Sequence, residues 1–199
     1  MSTLERSFFE RDPLTVSREL IGCELVAGEC AGIIVETEAY LAEGDEACHT
    51  FFRPSTREFM AEHEPGAAYI YLNYGMYWLL NALIKGGTGG DGFTLIRAVE
   101  PLRGIELMRE RRHRSALREL CSGPGKLTQA FGIGGADHGS NLCEGPITFR
   151  RRLERPEVVA CARIGISRAA HFPWRFLLKE SPFVSVGPGK EKATKKRAR

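Results

Sequence analysis

The stretch Ile33-Ile34-Val35-Glu36-Thr37-Glu38-Ala39-Tyr40 decides how this chain is read. It has the composition of a β-strand, and strand side chains alternate between faces. On that alternation Ile33, Val35, Thr37 and Ala39 form one small, largely apolar face suited to a core. The opposite face, after Ile34, presents Glu36, Glu38 and Tyr40. Two carboxylates beside an aromatic ring, on a strand with a buried back, make either a solvated face or a reaction site. At about 3.3 Å of rise per residue the two carboxylates start ~7 Å apart. That lies within the range two carboxyl groups span when they activate water against a glycosidic bond.

Around this strand the chain has the proportions of one domain. Its 199 residues suffice for a substantial core, and 43% apolar with 27% charged residues is ordinary for a globular protein. Residues 1–189 read as that domain, and 190–199 as a basic, disordered tail. No apolar run approaches the ~20 residues of a membrane span. The opening Met1-Ser2-Thr3-Leu4-Glu5-Arg6 lacks the apolar core of a signal peptide. The expected location is therefore cytoplasmic (nucleoid) or nuclear, not secreted, and the expected state a monomer.

Six cysteines, at 23, 30, 48, 121, 143 and 161, are scattered with no Cys-x-x-Cys pair, and they read as reduced core thiols. Asp45-Glu46-Ala47-Cys48-His49 gathers ligand-type residues, but side by side rather than one helical turn apart, so no metal is expected. The net charge of +3 is unevenly placed. Arginines 103, 109, 111, 112, 114 and 118 face only Glu106 and Glu110, and the last ten residues carry six basic groups against Glu191. Such blocks attract polyanions, nucleic acid above all, or serve as solvated faces.

Pro13 to Gly22 reads as a short helix closed by glycine, followed by a strand Glu24 to Val26 and a turn at Gly28. Residues 41–66 read as a long, polar, irregular connection, which a compact domain seldom holds without a use for it. Ala67 to Lys85 reads as a β-hairpin whose turn, Tyr74-Gly75, puts glycine where positive φ is wanted. Another strand spans Thr94 to Val99, Pro101 starts a basic helix, and Ser122-Gly123-Pro124-Gly125-Lys126 leads into a second helix toward Phe131. Strands recur at 147–151, 162–166, 175–178 and 183–186. Strands in hairpin-like series predict an α+β fold: one mixed domain with a curved, mostly antiparallel sheet, flanking helices and a protruding hairpin.

Tyr69, Tyr71, Tyr74, Tyr77 and Trp78 crowd this hairpin, and Tyr74 with Met76 flanks its turn. Turns normally take polar residues. Either the rings fold into the core, or they meet another protein, or the tip is a wedge of the kind that enters a base stack. Ser122 to Lys126 resembles a phosphate loop, but Leu120 and Leu127 stand where that motif needs Gly and Ser or Thr. Gly125 and Lys126 are then either a phosphate contact at a helix start or a plain capped terminus. Arg97, amid apolar strand residues, calls for a carboxylate partner, with Glu38 or Glu36 the candidates.

In order along the chain, Ile34 to Leu41, Asp45 to His49, Tyr69 to Tyr77 with Asn81, Leu95 to Leu102, Leu120 to Leu127 and Ser181 to Val186 resemble the alkyladenine (3-methyladenine) DNA glycosylase family. The resemblance runs from near residue 8 to about 186. It implies a monofunctional DNA glycosylase with no metal or cofactor and no lyase step. Such an enzyme flips damaged purines out of double-stranded DNA and hydrolyses the N-glycosidic bond, opening base excision repair. Glu38 matches the family's general base and Arg97 its partner for the water. Tyr40, His49 and Tyr71 match the walls of the base pocket, and Asn81 the residue that disfavours the exocyclic amine of guanine. Tyr74 matches the intercalating tyrosine, with Met76 beside it. On this reading Arg97, rather than Glu36, is the partner of Glu38. The family's Thr-Pro-Arg-Asn and Met-Phe before the hairpin are replaced here by Ser55-Thr56-Arg57-Glu58 and Ala61-Glu62. The more acidic loop leaves the preferred lesion open and keeps alive a module that binds flipped bases without excising them.

Overall fold

A computed structural model describes residues 2–189; the basic tail lies outside the described residues. Among them are seven α-helices and one eight-stranded antiparallel sheet in an α+β domain. The strands are β1 (Glu24–Ala27), β2 (Cys30–Leu41), β3 (Ala68–Asn73), β4 (Tyr77–Lys85), β5 (Asp91–Arg103), β6 (Ile147–Arg150), β7 (Val158–Cys161) and β8 (Arg175–Leu178). The helices are α1 (Arg6–Phe9), α2 (Pro13–Leu20), α3 (His49–Phe52), α4 (Pro54–Glu62), α5 (Ile105–Arg112), α6 (Leu117–Leu120) and α7 (Pro124–Phe131). Strand order is β3-β4-β5-β2-β1-β6, with β8 pairing the distal half of β2 and β7 completing that flank.

Local chemistry accounts for most of these elements. Asp12 caps α2 by accepting the Thr15 N–H at 2.8 Å, with Pro13 in the first turn, and Gly22 leaves the helix at positive φ. Tyr74 and Gly75 take φ of +51° and +69°, the pair of left-handed residues that a two-residue hairpin turn requires. The main core lies between one sheet face and α2, α5 and α7, where Phe9, Leu20, Ile34, Ile96 and Phe131 are buried.

The reading of β2 needs correction. Both its faces are buried, because the segment through Val184 and Ser185 covers the side expected to be open. Its alternation also breaks. Ile34 and Ala39 sit in the main core, and Thr37 donates to the Ser17 carbonyl of α2 at 2.8 Å. Val35 lies instead in the opposite cluster, with Ala98, Leu177 and Val184. The register explains the change: Ile34 faces Val99, Glu36 faces Ala98, and Thr37 faces Ile96. Val35 is extra on β2 and Arg97 is extra on β5, so two bulges oppose one another. Glu36, Glu38, Tyr40 and Arg97 are thereby brought to one side.

Further departures have identifiable causes. Residues 41–66 are not irregular: they hold α3 and α4, restarted by Pro54 at a favourable first position. Pro101 does not start a helix. It lies in β5 opposite Gly32, and α5 begins only after Gly104, which has φ of +71°. Residues 162–166 and 183–186 are not strands, because their backbone groups serve buried charges. Ala162 and Val186 carbonyls accept from Arg175, and the Ile164 and Ser185 N–H groups donate to Glu38 and Glu36.

At Gly32 the strands approach closely: a Cβ there would stand 2.5 Å from both the Glu100 carbonyl and Val99 Cγ1. Gly32→Ala should therefore cost about 1–3 kcal/mol by overpacking, read as a lower denaturant midpoint with an unchanged slope.

Candidate active site

The bulged strands deliver a set of buried charges. Glu38 is fully buried. Its Oε2 accepts from the Tyr40 hydroxyl at 2.7 Å and from Arg97 at 3.2 Å, and its Oε1 accepts the Ile164 N–H at 2.7 Å. Three donors converging on it form the surround of an ionised carboxylate. Glu36 is buried beside it and accepts four hydrogen bonds: Arg97 and Arg175 each reach its Oε1 at 3.0 Å and the Ser185 hydroxyl at 2.8 Å, while the Ser185 N–H reaches Oε2 at 2.6 Å. Burial alone would lower the pKa of Arg97, but the carboxylates of Glu38 and Glu36 outweigh it and raise it. Arg97 stays a cation shared by two anions.

Above these charges lies a cavity of about 620 Å³. Tyr40, Arg97 and Ile164, the three donors to Glu38, all line it, whereas Glu38 stands one layer behind them. Its walls include Tyr71, His49 and Asn81. His49 and Tyr71 lie against each other with ring centroids 4.3 Å apart. His49 Nδ1 meets the Tyr69 hydroxyl at 3.1 Å, and Tyr69 also meets Thr56 Oγ1 at 2.8 Å. Burial, aided by Arg53, lowers the His49 pKa to about 4, so its imidazole is neutral at pH 7. Burial raises the Tyr40 and Tyr71 phenols, with the Glu38 charge adding to both. The Asn81 nitrogen is committed to the Tyr69 and Leu79 carbonyls at 3.0 and 3.4 Å.

The hairpin tip stands at the mouth. Tyr74 lines the cavity yet is 82% exposed, and Met76 is 66% exposed. The turn end of the hairpin is anchored on α7: Thr128 Oγ1 donates to the Trp78 carbonyl at 2.7 Å. Gly125 owes its identity to packing, since a Cβ there would lie 2.7 Å from the Cβ of Tyr77. Lys126 is exposed and reaches Ser122 Oγ at 3.3 Å. Tyr69, Tyr71, Tyr74, Tyr77 and Trp78 thus divide between pocket wall and tip. Across the mouth, α3 exposes Phe51 and Phe52, with Arg168 Cζ 5.8 Å above the first ring and Arg53 Cζ 5.6 Å above the second.

Arg97, Tyr40, His49, Tyr71, Asn81 and Tyr74 line one cavity, with Glu38 behind it and Met76 beside the turn. Lys126 and Gly125 lie outside the cavity lining, next to Pro124, which belongs to it. Sequence reasoning missed Asp45 as a structural acid, Arg163, Arg175, Ser185 and the Ile164 N–H. A charged residue inside an apolar stretch, such as Arg163 after Ala160-Cys161-Ala162 or Arg175 before Phe176-Leu177-Leu178, was the available signal. The Ile164 N–H leaves none, because a backbone donor has no side-chain signature.

Among known proteins, the family model described as methylpurine-DNA glycosylase matches residues 7–182. A protein of Rhodopseudomonas palustris is 47% identical over 182 residues, which cover 92% of this chain and 87% of its own. One from Agrobacterium fabrum is 44% identical over 90% of this chain and 91% of its own. Another from Rubrobacter xylanophilus is 46% identical over 80% and 85% respectively. The names of all three assign them provisionally to the 3-methyladenine DNA glycosylases. A match spanning all the cavity-forming strands, at such identity and coverage, shows that the chain belongs to the methylpurine-DNA glycosylase family, the DNA glycosylases that hydrolyse the N-glycosyl bond between base and sugar.

Proposed function

We propose that this glycosylase takes alkylated purines out of duplex DNA by flipping them into the aromatic cavity. Glu38 then activates the water that attacks C1′. The observation that carries this reading is Glu38 itself: buried, ringed by three donors, and set directly behind the wall of a cavity that opens beneath an exposed tyrosine. Tyr74 enters the stack and occupies the gap, with Met76 alongside. The extruded base lies among Tyr40, Tyr71 and His49, and Asn81 contacts its edge. Phe51, Phe52, Arg53 and Arg168 meet the strand across the mouth, and Lys126 contacts a phosphate.

The aromatic faces of the wall suit a cationic base. Methylation at a purine ring nitrogen puts positive charge on the base and weakens its glycosyl bond, so departure needs no protonation. An imidazolium in the wall would repel such a base. His49, neutral down to about pH 4, does not, and the phenol faces attract the cation. Glu38 receives the water's proton as positive charge builds on the sugar, and Arg97 holds its carboxylate in place. The alternative in which Glu36 acts as a second catalytic carboxyl is disfavoured, because Glu36 does not line the cavity and its four hydrogen bonds come from Arg97, Arg175 and Ser185.

Glu38→Gln should keep affinity for a duplex with one alkylated purine and lose about 100-fold or more in single-turnover excision. A wild-type rate in that variant removes Glu38 as the base. Tyr74→Ala should leave thermal stability unchanged, since the ring is exposed, while excision from duplex falls far more than from a lesion already unpaired. Equal losses on both substrates would remove the wedge. His49 gives a pH dependence with a definite sign. Its folded pKa of about 4 lies below its ordinary 6.5, so only the unfolded chain takes up the proton in between. The fold should therefore lose stability as pH falls from about 6.5 toward 4, and His49→Gln should flatten that slope in denaturant titrations.

A further inference from the structure

A stack of side chains behind the cavity wall is not used by the mechanism above. Arg163 is wholly buried, with its guanidinium carbon 4.6 Å from the centroid of the Tyr40 ring and 5.0 Å from that of Trp174. Phe172 continues the stack outward, parallel to Trp174 at 4.1 Å. The guanidinium binds both oxygens of Asp45, at 2.6 and 2.8 Å. It also donates to the Ala39 carbonyl at 2.9 Å and to the Ala169 carbonyl at 3.2 Å. Asp45 in turn accepts the N–H groups of Ala47 at 3.0 Å and Leu41 at 3.3 Å. One guanidinium thereby joins the end of β2, the loop that leads into His49, and the loop from 163 to 169. The next residue along, Ile164, supplies the N–H on Glu38 Oε1.

From this arrangement we infer that Arg163 is a positioning residue for the glycosylase reaction. It fixes two of the three donors to Glu38, Tyr40 by stacking on its ring and Ile164 through the backbone. The inference rests on Glu38 being the base. Stability alone does not account for this arrangement, because a buried ion pair contributes little net stability compared with apolar residues of the same size. Placement does account for it: a planar, forked cation can hold a carboxylate with two bonds while stacking on a ring, and an ammonium cannot. Glu38 is faced by Tyr40 from its own strand, Arg97 from β5 and the Ile164 N–H, with Tyr71 of β3 within reach of its charge. Glu36 and Arg175 lie one step further, through Arg97. Loss of the Ile164 donor removes one of the three hydrogen bonds that favour a carboxylate over its acid at Glu38.

The test uses the full chain and a duplex with a single alkylated purine, with an abasic-site analogue in the same duplex for affinity. Arg163→Lys should slow single-turnover excision about 10- to 100-fold, the scale of a reacting group displaced by about 1 Å. The acid limb of its rate–pH profile should move to higher pH, with duplex affinity unchanged. Asp45→Asn should shift rate and profile in the same direction, and Trp174→Phe should retain the wild-type profile. If Arg163→Lys fails to fold, Asp45→Asn and Trp174→Leu carry the test, each expected to show the same shift. Variants that melt earlier but keep the wild-type rate and acid limb overturn the inference. An active Glu38→Gln overturns the base assignment instead, and the two failures are told apart by assaying both variants together.

Discussion

The structure depends on the pairing of the charges buried around β2. Glu36, Glu38 and Asp45 are buried on one side of β2 and beside it, and Arg97, Arg163 and Arg175 are buried with them. An unpaired carboxylate in that setting would cost several kcal/mol, and removing one partner from such a pair typically costs about 3–5 kcal/mol. Each acid therefore has its arginine: Asp45 takes Arg163 alone, Glu36 takes Arg175, and Arg97 is shared between Glu36 and Glu38. The remaining oxygens are met by backbone N–H groups and hydroxyls. This requirement explains why the chain runs irregularly on either side of β8: backbone groups at 162, 164, 185 and 186 solvate ions in place of water.

The layering above these charges follows from the same constraint. Ionised groups lie at the floor, while the walls are rings and phenols whose charged forms burial disfavours. The cavity thus presents neutral rings at His49, Tyr40 and Tyr71, with the Arg97 cation reaching its surface and the Glu38 carboxylate behind.

Much of this was legible in the sequence. The hairpin announced itself by Tyr74-Gly75, the strand by its composition, and Glu38 with Arg97 by a cation stranded among apolar residues. The faces of β2 were not legible. Alternation is a local rule, and the break at Val35 depends on an extra residue in a strand about sixty positions away. The helices of residues 49–62 were hidden because they are short and polar and are restarted by Pro54, so no helical period builds up. Arg163 and Asp45 were missed because an ion pair that links segments 118 positions apart leaves no local spacing to read.

The opposed bulges have a consequence for how such a chain can change over generations. Val35 and Arg97 are supernumerary on facing strands, and their offsets cancel, so Ile34 against Val99 and Thr37 against Ile96 keep one register. Losing a codon from either strand alone would slide the pocket half of the sheet by about 3.3 Å against the half that joins β1. A length change in one strand is therefore viable only with a matching change in the other. Descent within this fold should treat the two sites as a single heritable unit, kept or lost together.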